Sequence, residues 1–167
     1  MELYLIRHAP AAPRSAGNDD AMRPLTSDGK RAFAIAVEGI ARLGITFDRL
    51  YHSPLLRAVE TAELLLPLVH GESVSTSLLA DDPGSALLRE IAGRRVALVG
   101  HEPWMGELAA WLLHSDREAG SSFVIKKGGV VWLEGNPSPG QMTLRGFFPP
   151  KALRAMSRLD DSDESND

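Results

Sequence analysis

Arg7 and His8 follow a short apolar run, Arg57 stands four residues after Ser53, and His101 follows Val99-Gly100. A guanidinium fork binds two oxygens of an anion and keeps its charge at any working pH. A neutral imidazole is nucleophilic near pH 7, so one histidine can attack phosphorus and carry it covalently. A second, protonated histidine can stabilise the equatorial oxygens as charge spreads in a loose transition state. Two arginines and two histidines with little acid among them therefore suit an anion with several oxygens, most simply phosphate. That plan requires no metal and no cofactor.

For these side chains to meet, the elements carrying them must end at one place. Leu3-Tyr4-Leu5-Ile6 reads as a strand buried on both faces and ends at Arg7-His8. A broken polar stretch, Ala9 to Pro24, leads to a helix capped by Thr26 or Ser27, with the stripe Phe33, Ala36, Val37, Ile40, Leu43 and a stop at Gly44. Phe47 to His52 is a second strand. Ser53-Pro54 then starts a helix with Pro at its first position, the stripe Leu55, Val59, Ala62, Leu66, and an end at Pro67. Ser73 to Leu78 reads as a strand, Gly84 to Ile91 as a short helix, and Arg95 to Val99 as the clearest buried strand. Pro103 opens a helix with Trp104, Leu108, Trp111 and Leu112 inside. Phe123-Val124-Ile125 and Val130 to Leu133 flank Gly128-Gly129 as in a hairpin, Met142 to Phe148 is a strand, and Ala152 to Leu159 a terminal helix.

Strands alternating with helices predict a three-layer α/β/α sandwich, with a mostly parallel sheet and an antiparallel edge. Ligands bind such a sheet outside the carboxyl ends of its strands, where Arg7, His8, His101 and Arg57 all fall. Other candidates read as structural. His70 and His114 fall at helix C-termini, where positive charge is welcome, and His52 as packing. Asp81-Asp82 offers a general acid or, more simply, a cap for the helix at Ser85.

Length and composition agree with one domain. The 167 residues are 44% apolar and 24% charged, with no Cys, which excludes disulfides and thiolate chemistry. The formal charge is −4, but residues 160 to 167 hold five of the 22 acids, leaving 17 acids against 18 bases elsewhere. A body so nearly neutral gives no electrostatic reason to bind nucleic acid. No apolar run is long enough for a membrane span or a secretory core, so no membrane partner and a cytoplasmic location are expected. The expected organisation is a single domain over 1–159 and an acidic, disordered, solubilising tail over 160–167.

Leu5-Ile6-Arg7-His8-Ala9 resembles the opening motif of the histidine phosphatase superfamily, the phosphoglycerate-mutase-like fold. The resemblance continues at Arg23-Pro24-Leu25-Thr26 and Gly29, at Ser53-Pro54-Leu55-Leu56-Arg57-Ala58 with Glu60-Thr61-Ala62, and at Val99-Gly100-His101-Glu102-Pro103. The short chain and the Arg-Pro-Leu-Thr segment are most similar to SixA-type phosphohistidine phosphatases. The resemblance implies that His8 is the phospho-accepting nucleophile, Arg7 and Arg57 the phosphate clamp, and His101 the second pocket histidine. Arg23 matches a family position too, and for it the resemblance leaves two readings open, a side chain that reaches the pocket and one on the surface. The family also runs irregularly through the segment matching Phe123 to Lys127, which argues against the hairpin.

Two departures stand out. The family usually has Gly where this chain has Ala9, and a left-handed backbone there would make the methyl costly. The mutase branch carries a glutamate general acid in a long insertion, whereas only about 27 residues separate Pro67 from Arg95 here, with no Glu in the matching motif. The expected activity is therefore dephosphorylation of a phosphohistidine-bearing protein, such as a phosphotransfer domain or phosphocarrier, through phospho-His8. A small-molecule phosphomonoesterase and a low-turnover phosphate-binding module are the alternatives.

Overall fold

The computed structural model describes residues 1–15 and 19–158. Leu159 and the acidic tail at 160–167 lie outside the described residues. Six strands form one sheet: β1 (Glu2–Arg7), β2 (Phe47–His52), β3 (Val69–Ser75), β4 (Arg95–Gly100), β5 (Val130–Gly135) and β6 (Met142–Phe148). Their order is β3-β2-β4-β1-β5-β6. The first four are mutually parallel, while β5 runs antiparallel to β1 and β6 antiparallel to β5.

Side chains alternate across β1 and split the core in two. Tyr4 and Ile6 join one apolar cluster with α1 (Ser27–Arg42), α2 (Leu56–Leu65) and α5 (Pro150–Met156), through Phe33, Val37, Ile40, Ala58, Leu65 and Leu153. Leu3 and Leu5 join the other, with α3 (Gly84–Glu90) and α4 (Trp104–His114), through Leu87, Met105, Leu108 and Leu112. Helices thus cover both faces of a mostly parallel sheet, as the alternating pattern predicts. No helix among the described residues is long and apolar enough to cross a membrane.

Thr26 caps α1, its hydroxyl accepting from the Gly29 N–H at 2.9 Å. Beyond the helix Gly44 adopts φ +68°, a conformation glycine reaches at little cost. Leu43, expected inside, is partly exposed at the helix end. The second helix differs more. Ser53-Pro54 is used in the turn, α2 begins at Leu56, and its buried face is Arg57, Ala58, Thr61, Ala62 and Leu65. The inward face is thus displaced from the expected Leu55, Val59, Ala62, Leu66 stripe, and Leu66 is exposed. Trp111 on α4 is only partly buried and carries the Arg117 guanidinium over its ring, 5.4 Å from the centroid.

Four further expectations are corrected. The edge strand β3 spans Val69–Ser75, and a 3-10 turn at Ser77–Leu79 replaces the end of the expected Ser73–Leu78 strand. His70 therefore lies in β3, not at a helix C-terminus, whereas His114 does end α4. The Phe123–Ile125 segment forms no strand; the hairpin is β5 with β6. The reason is a competing use of its backbone, since Ile125 donates its N–H to Glu102 and its carbonyl accepts from Arg7. The terminal helix is Pro150–Met156, a start two residues earlier than expected.

Candidate active site

Strand register brings the site together. Arg7 pairs with Gly100 across β1 and β4, and His52 with Val99 across β2 and β4. The chain continues the ladder past the strands, with His8 N–H donating to the Gly100 carbonyl and Ser53 N–H to that of Val99, both at 3.0 Å. Three strand ends therefore stop level with one another, and the His8 and His101 rings lie 5.1 Å apart. A cleft of about 340 Å³ opens over them, lined by Arg7, His8, Arg23, Arg57, His101, Glu102 and Lys127, with Ala11 to Arg14 at one side.

His8 is buried and its Nδ1 lies 2.7 Å from the Ala9 carbonyl oxygen. A carbonyl only accepts, so Nδ1 carries the proton and Nε2 keeps its lone pair. Burial pushes the His8 pKa down to about 3, helped by His101, Arg57 and Arg7 and opposed by the Ala9 bond. The ring is therefore held neutral at pH 7. Ala9 N–H donates to Thr61 Oγ1 at 3.0 Å, and Ala9 is not among the residues with positive φ. The methyl that replaces the family glycine is thus buried without backbone strain.

The arginines enter from two sides. Arg7 Nη1 donates to the Ile125 carbonyl at 2.7 Å, and Arg57 Nη1 to the Asp20 carbonyl at 2.9 Å. The Asp20 carboxylate also meets Arg57 Nη2 at 3.1 Å, Arg23 Nε at 3.0 Å and Arg14 Nε at 2.9 Å. Burial alone would lift the Asp20 carboxyl, but Arg57 and Arg23 outweigh it and hold it below the usual range. Asp20 is therefore an ionised brace, not a proton donor. Arg7 Nε, Arg57 Nε and His101 Nδ1 are buried without a hydrogen-bond partner among the described residues. Buried donors left in this way cost stability unless a ligand takes them. Three of them on three residues lining one cleft make a site for a multi-oxygen anion.

Arg23 lines the cleft, its side chain mostly buried and braced by Asp20 and the Ala12 carbonyl. Asp81 and Asp82 do not line it. The N-cap position of α3 is Pro83, not an aspartate, and Asp82 beside it accepts from the Gly84 N–H at the helix start and from Arg117, a structural role. His52 bonds the Ser53 carbonyl and is absent from the cleft lining.

Sequence reasoning missed four participants. Ser53 is fully buried against His101 Nε2 at 2.9 Å. Glu102 receives the Ile125 N–H on Oε1 and the Gly106 N–H on Oε2, pinning the Ile125 segment to the site. Burial raises its pKa, against the pull of those two bonds and of Arg7. Lys127 lines the cleft because Gly128, at φ +78°, turns its N–H back onto the carbonyls of Arg7 and His8. Asp20, the fourth, arrives from the irregular stretch. Ser53 and Glu102 lie within the quoted motifs, which was the available signal for them.

Removing one clamp arginine should lose interactions that tighten as charge develops on phosphorus. Arg57→Ala is expected to lower kcat/KM about 10²–10³-fold with the fold intact by circular dichroism. Wild-type activity in that variant would place the substrate elsewhere.

A model of the histidine phosphatase superfamily (branch 1) matches residues 3–81. An uncharacterized protein of Picosynechococcus sp. is 33% identical over 141 residues, covering 80% of this chain and 84% of the relative. Among solved structures, the protein histidine phosphatase SixA complexed with tungstate is similar with TM-score 0.73 and 23% identity, over 92% of this chain and 99% of that one. A structure from Escherichia coli assigned as an alpha-ribazole-5'-P phosphatase gives TM-score 0.69 and 20% identity, over 90% and 98%. The phosphoserine phosphatase of Entamoeba histolytica, in complex with 3-phosphoglyceric acid, gives 0.66 and 18%, over 91% and 98%. At these identities the structures speak for the fold. The family match places this chain in the histidine phosphatase superfamily, and the solved structures agree with it in fold.

Proposed function

We propose that the protein is a phosphohistidine phosphatase acting on a phosphohistidine-bearing protein, such as a phosphotransfer domain or phosphocarrier. The observation that carries the chemistry is the His8 tautomer: Nδ1–H is committed to the Ala9 carbonyl, so Nε2 is the nucleophile. In the first step the Nε2 lone pair forms a bond to phosphorus while the P–N bond of the substrate breaks, and the substrate imidazole leaves with the electron pair. If that ring already carries a proton from solvent, it leaves neutral. As phospho-His8 becomes cationic, its Nδ1–H bond to Ala9 strengthens, which favours the intermediate. In the second step water attacks phosphorus, the P–N bond to His8 breaks, and phosphate departs with the imidazole neutral again. Arg7, Arg57 and His101 face the oxygens throughout, with Arg23 bracing the mouth.

Two observations favour phosphohistidine over an ester. The carboxylates at the cleft are engaged, Asp20 by arginines and Glu102 by backbone N–H groups, so neither is free to protonate a poor leaving group. The cleft also opens beside a hollow of about 800 Å³, with Arg14, Met22 and Arg23 on its walls, leaving room for a side chain presented by a partner. The small-molecule reading draws support from the ribazole and phosphoserine phosphatases that share the fold. The low-turnover reading rested on strain at Ala9, which the backbone does not have.

The test is release of phosphate from a phosphohistidine protein beside a simple aryl phosphate ester. The expected result is faster turnover of the protein, unchanged by EDTA, since arginine and imidazole supply the charge. Among the described residues no group of His, Asp and Glu could hold a metal ion. Activity lost to EDTA and restored by Mg²⁺ or Zn²⁺ would overturn the mechanism.

A further inference from the structure

Ser53 is fully buried, and its Oγ has two neighbours: Leu55 N–H donates to it at 3.3 Å, and His101 Nε2 lies 2.9 Å away. A hydroxyl has one proton and two lone pairs. If Nε2 carried the imidazole proton, Oγ would accept twice and its own proton would be buried with no acceptor among the described residues. If the hydroxyl donates to Nε2, every polar group of Ser53 is matched and the imidazole proton falls on Nδ1. That nitrogen is buried and has no partner. We propose that Ser53 is a positioning residue that fixes His101 as the Nδ1–H tautomer, so that a neutral His101 donates to a phosphoryl oxygen without first being protonated.

The inference rests on the phosphate-cleft reading and adds how one donor of that cleft is set. Around His101 stand Arg7 and His8 from the end of β1, Arg57 from α2, Arg23 and Asp20 from the loop before α1, and Glu102 beside it. Burial, with Arg57 next, pushes its pKa down to about 4, against the pull of Asp20. A neutral imidazole has a single N–H, so the tautomer decides whether an oxyanion meets a donor or a lone pair.

Two-bond ¹H–¹⁵N correlation spectra of histidine-labelled protein at pH 7, without ligand, read the tautomer directly, with His101→Gln assigning the signal. The wild type should show Nδ1–H at His101. Ser53→Ala should show mixed tautomers and bind inorganic phosphate about two- to fivefold more weakly, in proportion to the fall in the Nδ1–H fraction. Its affinity should recover as pH falls, because protonation places an N–H on both nitrogens, and Ser53→Thr should restore both readouts at pH 7. Wild-type His101 carrying its proton on Nε2 would overturn the proposal even if Ser53→Ala failed to fold. So would a Ser53→Ala protein with wild-type tautomer and phosphate affinity. Both measurements omit phosphohistidine, so failure of the substrate reading alone would leave them unchanged.

Discussion

His8→Ala protein quenched during turnover should hold no covalent phosphate, whereas the wild type should hold phosphate that is acid-labile and base-stable, as a phosphoramidate is. The expectation follows from a nucleophile with no substitute. His8 is the residue whose unprotonated nitrogen is set toward the cleft by a bond on its other side, and His101 has its Nε2 turned to Ser53. Without the P–N bond only positioned charge remains, so turnover should drop by roughly 10⁴-fold or more. The substitution should spare the fold, because His8 ties to the sheet through backbone groups, its N–H to Gly100 and its carbonyl to Gly128. Labelling of His8→Ala at the wild-type level would remove this residue from the mechanism.

The second large effect is discrimination among leaving groups. An alkyl phosphate expels a poor alkoxide, and a positioned proton donor is worth about 10²–10⁴ in such a reaction. A protonated phosphohistidine expels neutral imidazole and needs no such donor. Phosphohistidine protein should therefore exceed alkyl phosphates such as phosphoglycerates in kcat/KM by about the same 10²–10⁴, with aryl esters between. The decisive variant is Glu102→Gln, since Glu102 is the cleft carboxylate whose pKa burial raises. Efficient alkyl ester hydrolysis that collapses in Glu102→Gln would reveal a general acid and favour the small-molecule reading. Asp82→Asn should leave the ratio unchanged, because Asp82 accepts from the Gly84 N–H and holds Arg117.

The residues that were legible share one property: they sit where a continuous apolar run stops. Leu3–Ile6 and Val96–Val99 declare buried strands, so Arg7, His8 and His101 are placed at the sheet edge by pattern alone. Arg57 follows from the helix start after β2, even though the phase of α2 did not. That face was misread because Pro54 belongs to the turn, and small Ala58 packs inward where the larger Val59 was expected. β3 was placed four residues too late, at Ser73 to Leu78, because most of its residues are exposed, and an exposed edge strand has no apolar rhythm to read. Asp20, Ile125 and Lys127 reach the site from irregular segments, through backbone carbonyls and turns that no local pattern encodes. Ser53 was read only as a helix cap, and its bond to His101 spans 48 residues.

The place of β1 in the sheet has a consequence for how the molecule is made. Its hydrogen-bonding neighbours are β4 on one side and β5 on the other, so β1 is completed by segments made much later than itself. At ribosomal rates of 5–20 residues per second, on the order of ten seconds pass between the appearance of Leu3–Ile6 and that of Val130. Until β4 is made both edges of this apolar segment are open, and until β5 is made one still is, which is the situation chaperones exist to manage. The β5 flank of the strand that carries Arg7-His8, and the Gly128 N–H that bonds their carbonyls, are consequently in place only once the C-terminal third arrives.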